Sequence, residues 1–143
     1  MKVVSVCMLI FAFLFSGCGE CLCRTRYEYL HTTDEIETIE IVVVTFGDDS
    51  PPYYDVLYTV EDIDGFIEDF GEIKCYEQVT HPLGIDDGDT VIKITYENGD
   101  YELVTWDGRA TFVKGIFYGY KGWQYFDEGQ FQSLLDKYLP NES

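Results

Sequence analysis

Apolar and polar residues alternate along EIETIEIVVVTF, residues 35–46, before merging into a β-branched run. Alternation with period two is typical of a β-strand, and β-branched residues favour the same conformation. The stretch therefore predicts a strand in the middle of a sheet. The segment GDDSPPYYD then ends the strand, because prolines 51 and 52 cannot donate hydrogen bonds to a neighbouring strand.

Two later stretches carry apolar residues at helical spacing, each behind a start signal. Thr59 and Asp62 have the spacing of a capping box, and Asp127 and Gln130 have the same relation near the carboxyl end. These signals predict two amphipathic helices, one beginning after Thr59 and the other after Asp127.

The segment between the two helices predicts hairpins. Asn98-Gly99 favours a two-residue type I′ turn, since both residues tolerate a positive φ. Such a turn would place one set of apolar residues on one face and point Glu102 to the other. The paired residues would be Tyr96 with Tyr101, Ile94 with Leu103, and Ile92 with Thr105.

A second turn signal at Asp107-Gly108 adds a strand, and residues 116–126 add one or two more. No pattern of parallel strands joined by helices occurs. The predicted fold class is α+β, an antiparallel β-sheet meander covered by the two amphipathic helices. We expect it to form a single domain over residues 35–143.

The amino-terminal residues follow a different pattern. Lys2 is followed by an apolar run from Val3 to Phe15, and the small residues Ser16 and Gly17 end it. This order is typical of a secretory signal. The run is shorter than the roughly 20 apolar residues that a membrane-spanning helix needs.

The residues Leu14-Phe-Ser-Gly-Cys18 resemble the lipobox of bacterial lipoprotein signals, which Ser16, Gly17 and Cys18 match. The resemblance implies cleavage before Cys18 and attachment of a diacylglycerol to its sulfur. Residues 1–17 would then be a signal peptide and residues 18–34 a lipidated tether at the outer face of the cytoplasmic membrane. An ordinary secretory signal cut near Gly17, which would release the protein, is the alternative.

The net charge of the chain limits the kinds of partner that it can bind. The chain has nine basic and 27 acidic residues, a net charge of −18, and removal of Lys2 with the signal would make it −19. Nucleic-acid binding needs clustered basic residues, so we expect no nucleic-acid partner. Disorder is not expected either, because 46% of the residues are hydrophobic and 17% are aromatic.

The cysteines fit an exported protein. With Cys18 lipidated, Cys75 could form a disulfide with Cys21 or Cys23, because export leads to an oxidising compartment. The spacing of Cys18, Cys21 and Cys23 does not match a zinc site, so we expect no metal.

No catalytic motif is present, and we assign no catalytic residue and no cofactor. The acidic loop at residues 86–90 lacks the ligand spacing of an EF-hand and is interpreted as a turn. The candidate binding residues are aromatic, since exposed tyrosine and tryptophan commonly anchor protein, peptide or sugar ligands. They are Tyr53, Tyr54, Tyr120 and Trp123.

The Asn-Gly hairpin signal followed by FDEGQFQSLLDKYL resembles small uncharacterised lipoproteins of Firmicutes-type bacteria, which implies no particular activity. Three hypotheses follow. The first is a lipid-anchored, non-enzymatic binding or interaction domain. The second is an inhibitor or immunity-type protein directed at a basic partner, and the third is a hydrolase that uses two buried carboxylates.

Overall fold

The computed structural model describes residues 24–48, 51–77, 84–119 and 124–140, and all the strand pairing in them is antiparallel. Strand content exceeds helix content, and the α+β class is confirmed. The strands are β1 (Arg24–Thr25), β2 (Ile36–Thr45), β3 (Tyr53–Thr59), β4 (Cys75–Glu77), β5 (Thr90–Tyr96), β6 (Tyr101–Thr105), β7 (Gly108–Val113), β8 (Ile116–Gly119) and β9 (Gln124–Phe126). The helices are α1 (Ile63–Glu72) and α2 (Glu128–Tyr138), with a short 3-10 helix at Thr33–Glu35.

The strands form two sheets. The larger sheet has the order β3-β2-β5-β6-β7-β8, and the smaller one has the order β1-β4-β9. Strand β2 lies between β3 and β5, inside the large sheet as its β-branched run predicts. The small sheet was not expected from the sequence, because β1 and β9 are short and far apart in the chain.

Side chains on one face of the large sheet form a buried cluster together with side chains of both helices. We call this face the core face. The sheet contributes Ile39, Ile41, Ile92, Ile94 and Val104. The helices contribute Phe66, Phe70, Phe131, Leu134 and Leu135. Burial of these apolar side chains is the main favourable contribution to folding.

The predicted type I′ turn at Asn98-Gly99 is wrong. Only Gly99 has a positive φ, of 87°, whereas Asn98 does not. The Tyr96 N–H donates to the Asp100 carbonyl at 2.8 Å, so the hairpin loop has three residues instead of two. Two consecutive positive φ values, as a type I′ turn requires, occur instead at Lys114 and Gly115, between β7 and β8.

The extra loop residue shifts the pairing of β5 and β6 by one position. Ile94 lies opposite Glu102, and Thr95 lies opposite Tyr101. Because side chains alternate between faces, a one-residue shift exchanges the two faces of β6. Glu102 is therefore turned onto the core face, while Tyr101 and Leu103 lie on the opposite face, which we call the pocket face.

Helix α2 begins as predicted, with the Asp127 carboxylate accepting from the Gln130 N–H at 3.0 Å. Helix α1 begins one turn later than predicted. Thr59 is still part of β3, and its neighbour Val60 donates to the Ile39 carbonyl at 2.9 Å. Asp62 caps the helix instead, through a 3.0 Å hydrogen bond from the Gly65 N–H.

The fold begins before residue 35, so the expected extent of the tether, residues 18–34, is wrong for its last part. Residues 24 and 25 form β1, and Tyr27, Tyr29 and Leu30 pack against the core cluster. Polar side chains hold the same segment through its backbone. The Glu28 N–H donates to Gln124 Oε1 at 3.1 Å, and Gln124 Nε2 donates to the Arg26 carbonyl at 2.7 Å.

A buried ion pair lies beneath this amino-terminal segment. Arg109 Nη1 is 3.6 Å from Glu102 Oε2, and the two side chains are 4% and 0% exposed. Glu102 Oε2 accepts from the Leu30 N–H at 3.2 Å, and Arg109 donates to the Glu28 carbonyl. The Arg109 guanidinium also lies 5.0 Å from the centre of the Tyr27 ring.

Two opposing effects act on the Glu102 carboxyl. Burial raises its pKa, and the positive charge of Arg109 acts in the opposite direction. Nearer the hairpin, His31 Nε2 lies 2.8 Å from Asp100 Oδ2, and hydrogen bonds from His31 and from the Lys114 N–H hold the pKa of Asp100 below its ordinary value. The segment is thus fixed by charged groups from β6, β7 and the loop before β6.

We expect the Glu102–Arg109 pair to be strongly coupled. Glu102→Gln or Arg109→Met alone should destabilise the fold by about 3–5 kcal/mol, because each leaves a buried group without its partner. The double variant should lose clearly less stability than the sum of the losses in the two single variants. Urea unfolding of the four proteins measures the coupling.

The exposed pair Lys137–Asp69, 2.6 Å apart, provides the control cycle. Its coupling should be much smaller, because solvent screens both charges. Additive effects at Glu102 and Arg109 would show that the buried pair does not hold the amino-terminal segment.

Candidate functional site

The large sheet curves towards its pocket face. Strands β3 and β8 are its outer strands, and five inter-strand intervals would separate them by about 24 Å if the sheet were flat. Pro52, which precedes β3, and Phe117 in β8 nevertheless line the same cavity. The pocket face is therefore the concave one.

The cavity on this face has a volume of about 270 Å³. Buried Leu103, Ala110 and Phe112 form its floor. Phe46 and Phe117, which are 42% and 50% exposed, stand at its edge together with Pro52 and Ile85. Every lining side chain is apolar, so the cavity fits an uncharged apolar group.

A row of aromatic rings extends from this cavity across the concave face. Phe117 meets Phe112 edge to face, with ring centres 5.5 Å apart, and Phe112 stacks on Tyr101 at 4.5 Å. Tyr101 in turn contacts Tyr54, whose hydroxyl lies 2.8 Å from that of Tyr101. Aromatic contacts of this kind add to area burial and fix the ring positions.

Lys93 lies over the far end of the row. Its ammonium is 4.9 Å from the centre of the Tyr54 ring and 5.3 Å from that of Tyr101, and it pairs with Glu40 at 3.4 Å. Burial raises the pKa of both tyrosines, so both phenols stay neutral at physiological pH. This end of the face is polar but holds no uncompensated charge.

The predicted aromatic residues have different positions. Tyr53 is 66% exposed in the outer strand β3, whereas Tyr54 belongs to the row and is half-buried. Tyr120 and Trp123 lie outside the described residues and stay predictions. Of the two candidates that the structure describes, Tyr54 lies on the concave face and Tyr53 does not.

Most of the cysteines with a predicted role, in lipid attachment or in a disulfide, lie near the amino terminus. Cys18, Cys21 and Cys23 lie outside the described residues, so lipid attachment and a disulfide stay predictions. Cys75 in strand β4 is 3% exposed and has no disulfide partner among the described residues. Burial raises the pKa of this thiol to about 11.

The cavity residues themselves were not identified from the sequence. The β-branched run in β2 was the available signal, since Val42 and Val44 are buried on the pocket face while Ile39 and Ile41 are buried on the core face. A strand that is apolar on both sides requires cover on both sides. The expected single apolar face is therefore wrong.

The acidic loop before β5 uses its carboxylates to hold its own backbone and the end of β2. Asp89 Oδ2 accepts from the Asp86 N–H, and Asp87 Oδ1 accepts from the Phe46 N–H, both at 2.8 Å. The turn therefore positions Phe46 and Ile85 at the cavity. Among the described residues, no group of three or more His, Cys, Asp or Glu side chains is arranged to hold a metal ion.

None of the helices in the described ranges is long and apolar enough to cross a membrane. No family model matches the chain, and neither the curated proteins nor the solved structures include a significant match to it.

We expect Cys75 to be unreactive in the folded protein. At about pH 8, iodoacetamide should modify it about 100-fold more slowly than an ordinary cysteine, because the reactive thiolate is scarce and buried. Peptide mapping after timed labelling measures the rate at this residue. The same reaction in denaturing urea is the control and should be fast. Rapid labelling without urea would contradict a buried thiol, whereas a peptide linked through Cys75 would confirm the predicted disulfide.

Proposed function

We propose that the chain is an exported protein, attached by lipid on Cys18 to the outer face of the cytoplasmic membrane, whose domain binds a partner without catalysing a reaction. The observation that carries the binding role is the apolar cavity of about 270 Å³ in the concave sheet face. An apolar side chain of a protein or peptide suits it better than a sugar, whose hydroxyls would lose hydrogen bonds there.

The buried carboxylates support a non-enzymatic role. Glu102 and Asp100 are the buried acidic side chains of the described residues. Glu102 accepts from Leu30 and Tyr96, and Asp100 accepts from the Lys114 N–H. A carboxylate hydrolase would need two acids facing a cleft, and neither of these lines the apolar cavity.

In this proposal the two helices cover the core face of the large sheet. Their shared buried cluster with β2 and β5 supports that arrangement. The helices then stabilise the sheet from one side, and its concave side is left for the partner.

A second candidate is an inhibitor or immunity-type protein directed at a basic partner. The net charge of −18 favours it, because such a surface attracts cationic proteins. The salt dependence of partner binding distinguishes the two candidate functions. Binding through the apolar cavity should change little with ionic strength, whereas binding to a basic partner should weaken steeply.

We expect the mature protein to begin at Cys18 and to carry a diacylglycerol. Each buried methylene of an acyl chain contributes about 0.8 kcal/mol to membrane binding, so Cys18→Ala should move the protein from the membrane to the soluble fraction. Mass spectrometry of the protein from its host gives the cleavage site and the lipid mass. Cys21→Ala is the matched control and should stay in the membrane. An intact chain in the cytosol, with Met1 still attached, would contradict the proposed address.

We expect the cavity to bind the apolar dye N-phenyl-1-naphthylamine. Ala110→Leu places a larger side chain on the cavity floor and should weaken dye binding about tenfold, because the added carbons occupy apolar space of the cavity. Overpacking at this buried position should lower stability by no more than about 1–3 kcal/mol. Fluorescence titration and urea unfolding measure the two effects. Val56→Leu adds a methylene at an exposed position outside the cavity and should change neither. Unchanged dye affinity in Ala110→Leu would exclude this cavity as the binding site.

A further inference from the structure

A second, larger cavity lies between helix α1 and the amino-terminal segment that begins with β1. It is a groove of about 740 Å³. Buried Phe70, Cys75 and Phe126 form its floor. Its edge is charged, with Arg24 and Arg26 from the amino-terminal segment and Glu68 and Glu72 from the helix. The groove therefore combines an apolar floor with charges of both signs.

The charged side chains of the groove edge are available to a ligand. In the described ranges, the ion pairs of basic side chains with acids involve His31, Lys93, Arg109 and Lys137. Arg24 and Arg26 are exposed and have no acidic partner within 4.0 Å there, and neither Glu68 nor Glu72 has a basic one. Guanidinium groups bind phosphate oxygens well, and carboxylates accept hydrogen bonds from an ammonium group.

The groove lies close to the predicted membrane anchor. Five residues lie between Cys18 and Arg24, and the six steps along the chain span about 20 Å at full extension. A chain held at Cys18 by its lipid would keep the groove within reach of the phospholipid head groups around it. The short connection raises the effective concentration of those head groups.

We propose that this groove binds the head group and upper acyl region of a zwitterionic membrane phospholipid that carries an amine. The phosphate meets Arg24 and Arg26, the ammonium meets Glu68 and Glu72, and the apolar portion lies on the aromatic floor. The charges of both signs select against phosphatidylglycerol, which has the same phosphate but no ammonium to meet the two glutamates. The inference rests on the proposed membrane attachment for its ligand source.

Gly71 offers a way to close the groove without damaging the fold. It lies in helix α1 and lines the groove, and a Cβ added there would meet no atom within 4 Å. Leucine has a higher helix propensity than glycine, so Gly71→Leu should not lower stability. The variant should fill part of the space that the lipid needs.

The test uses the chain from residue 18 with Cys18→Ser, which keeps every described element and removes the predicted site of lipid attachment. Dihexanoyl phosphatidylethanolamine below its micelle concentration is the probe, measured by isothermal titration. We expect at least a tenfold preference over dihexanoyl phosphatidylglycerol. Arg24→Gln/Arg26→Gln and Gly71→Leu should each weaken binding at least tenfold, with unfolding midpoints that are not lowered.

Lys114→Gln/Lys137→Gln is the matched control, because it also removes two positive charges but from positions outside the groove. Its affinity should stay within twofold of the parent. No binding of either lipid, equal binding of both, or full binding by Gly71→Leu would overturn the proposal. These outcomes are independent of whether Cys18 is lipidated in the host, so failure of this inference and failure of the proposed membrane address are distinguishable.

Discussion

The buried pair of Glu102 and Arg109 is the interaction on which the rest of the structure depends. A carboxylate and a guanidinium that are almost fully buried carry a large desolvation cost, and only good partners offset it. Besides the Tyr96 hydroxyl, those partners are backbone groups of the amino-terminal segment, the Leu30 N–H and the Glu28 carbonyl. The pair therefore requires this segment to lie across the sheet, and in return it fixes a stretch with little regular secondary structure.

The same register that buries Glu102 also makes the pocket face apolar. Shifting β6 by one residue against β5 turns Leu103 and Tyr101 away from the helices and into the second apolar cluster. The buried charge and the apolar cavity are thus two results of one hairpin, and a different turn would remove both. A change in the register of β6 would therefore affect both the stability of the fold and the candidate binding site.

Local patterns in the sequence predicted the elements that depend on near neighbours. The strand at residues 35–46, the Asp127 cap and the α+β class could all be inferred from alternation, capping and turn residues. The hairpin register could not, because Asn-Gly suits both a two-residue type I′ turn and a three-residue loop with only the glycine at positive φ. The cavity could not be inferred either. Pro52, Ile85 and Phe117 are distant in sequence, and the curvature of the sheet together with the loops before β3 and β5 brings them together.

The attachment of the amino-terminal segment suits a protein held at that end. A pull on the chain before Arg24 acts first on β1 and then on hydrogen bonds that Arg26, Glu28 and Leu30 make with side chains of β6, β7 and β9. These bonds connect residues 72 to 98 positions apart, so the load passes to the middle of the large sheet and to the small sheet together. A short β1 alone would separate easily, since two strand residues contribute few ladder bonds. The buried charged side chains therefore hold the amino-terminal segment to the sheets, as the ladder hydrogen bonds of a longer strand would. None of these contacts lies on the concave face, which stays open.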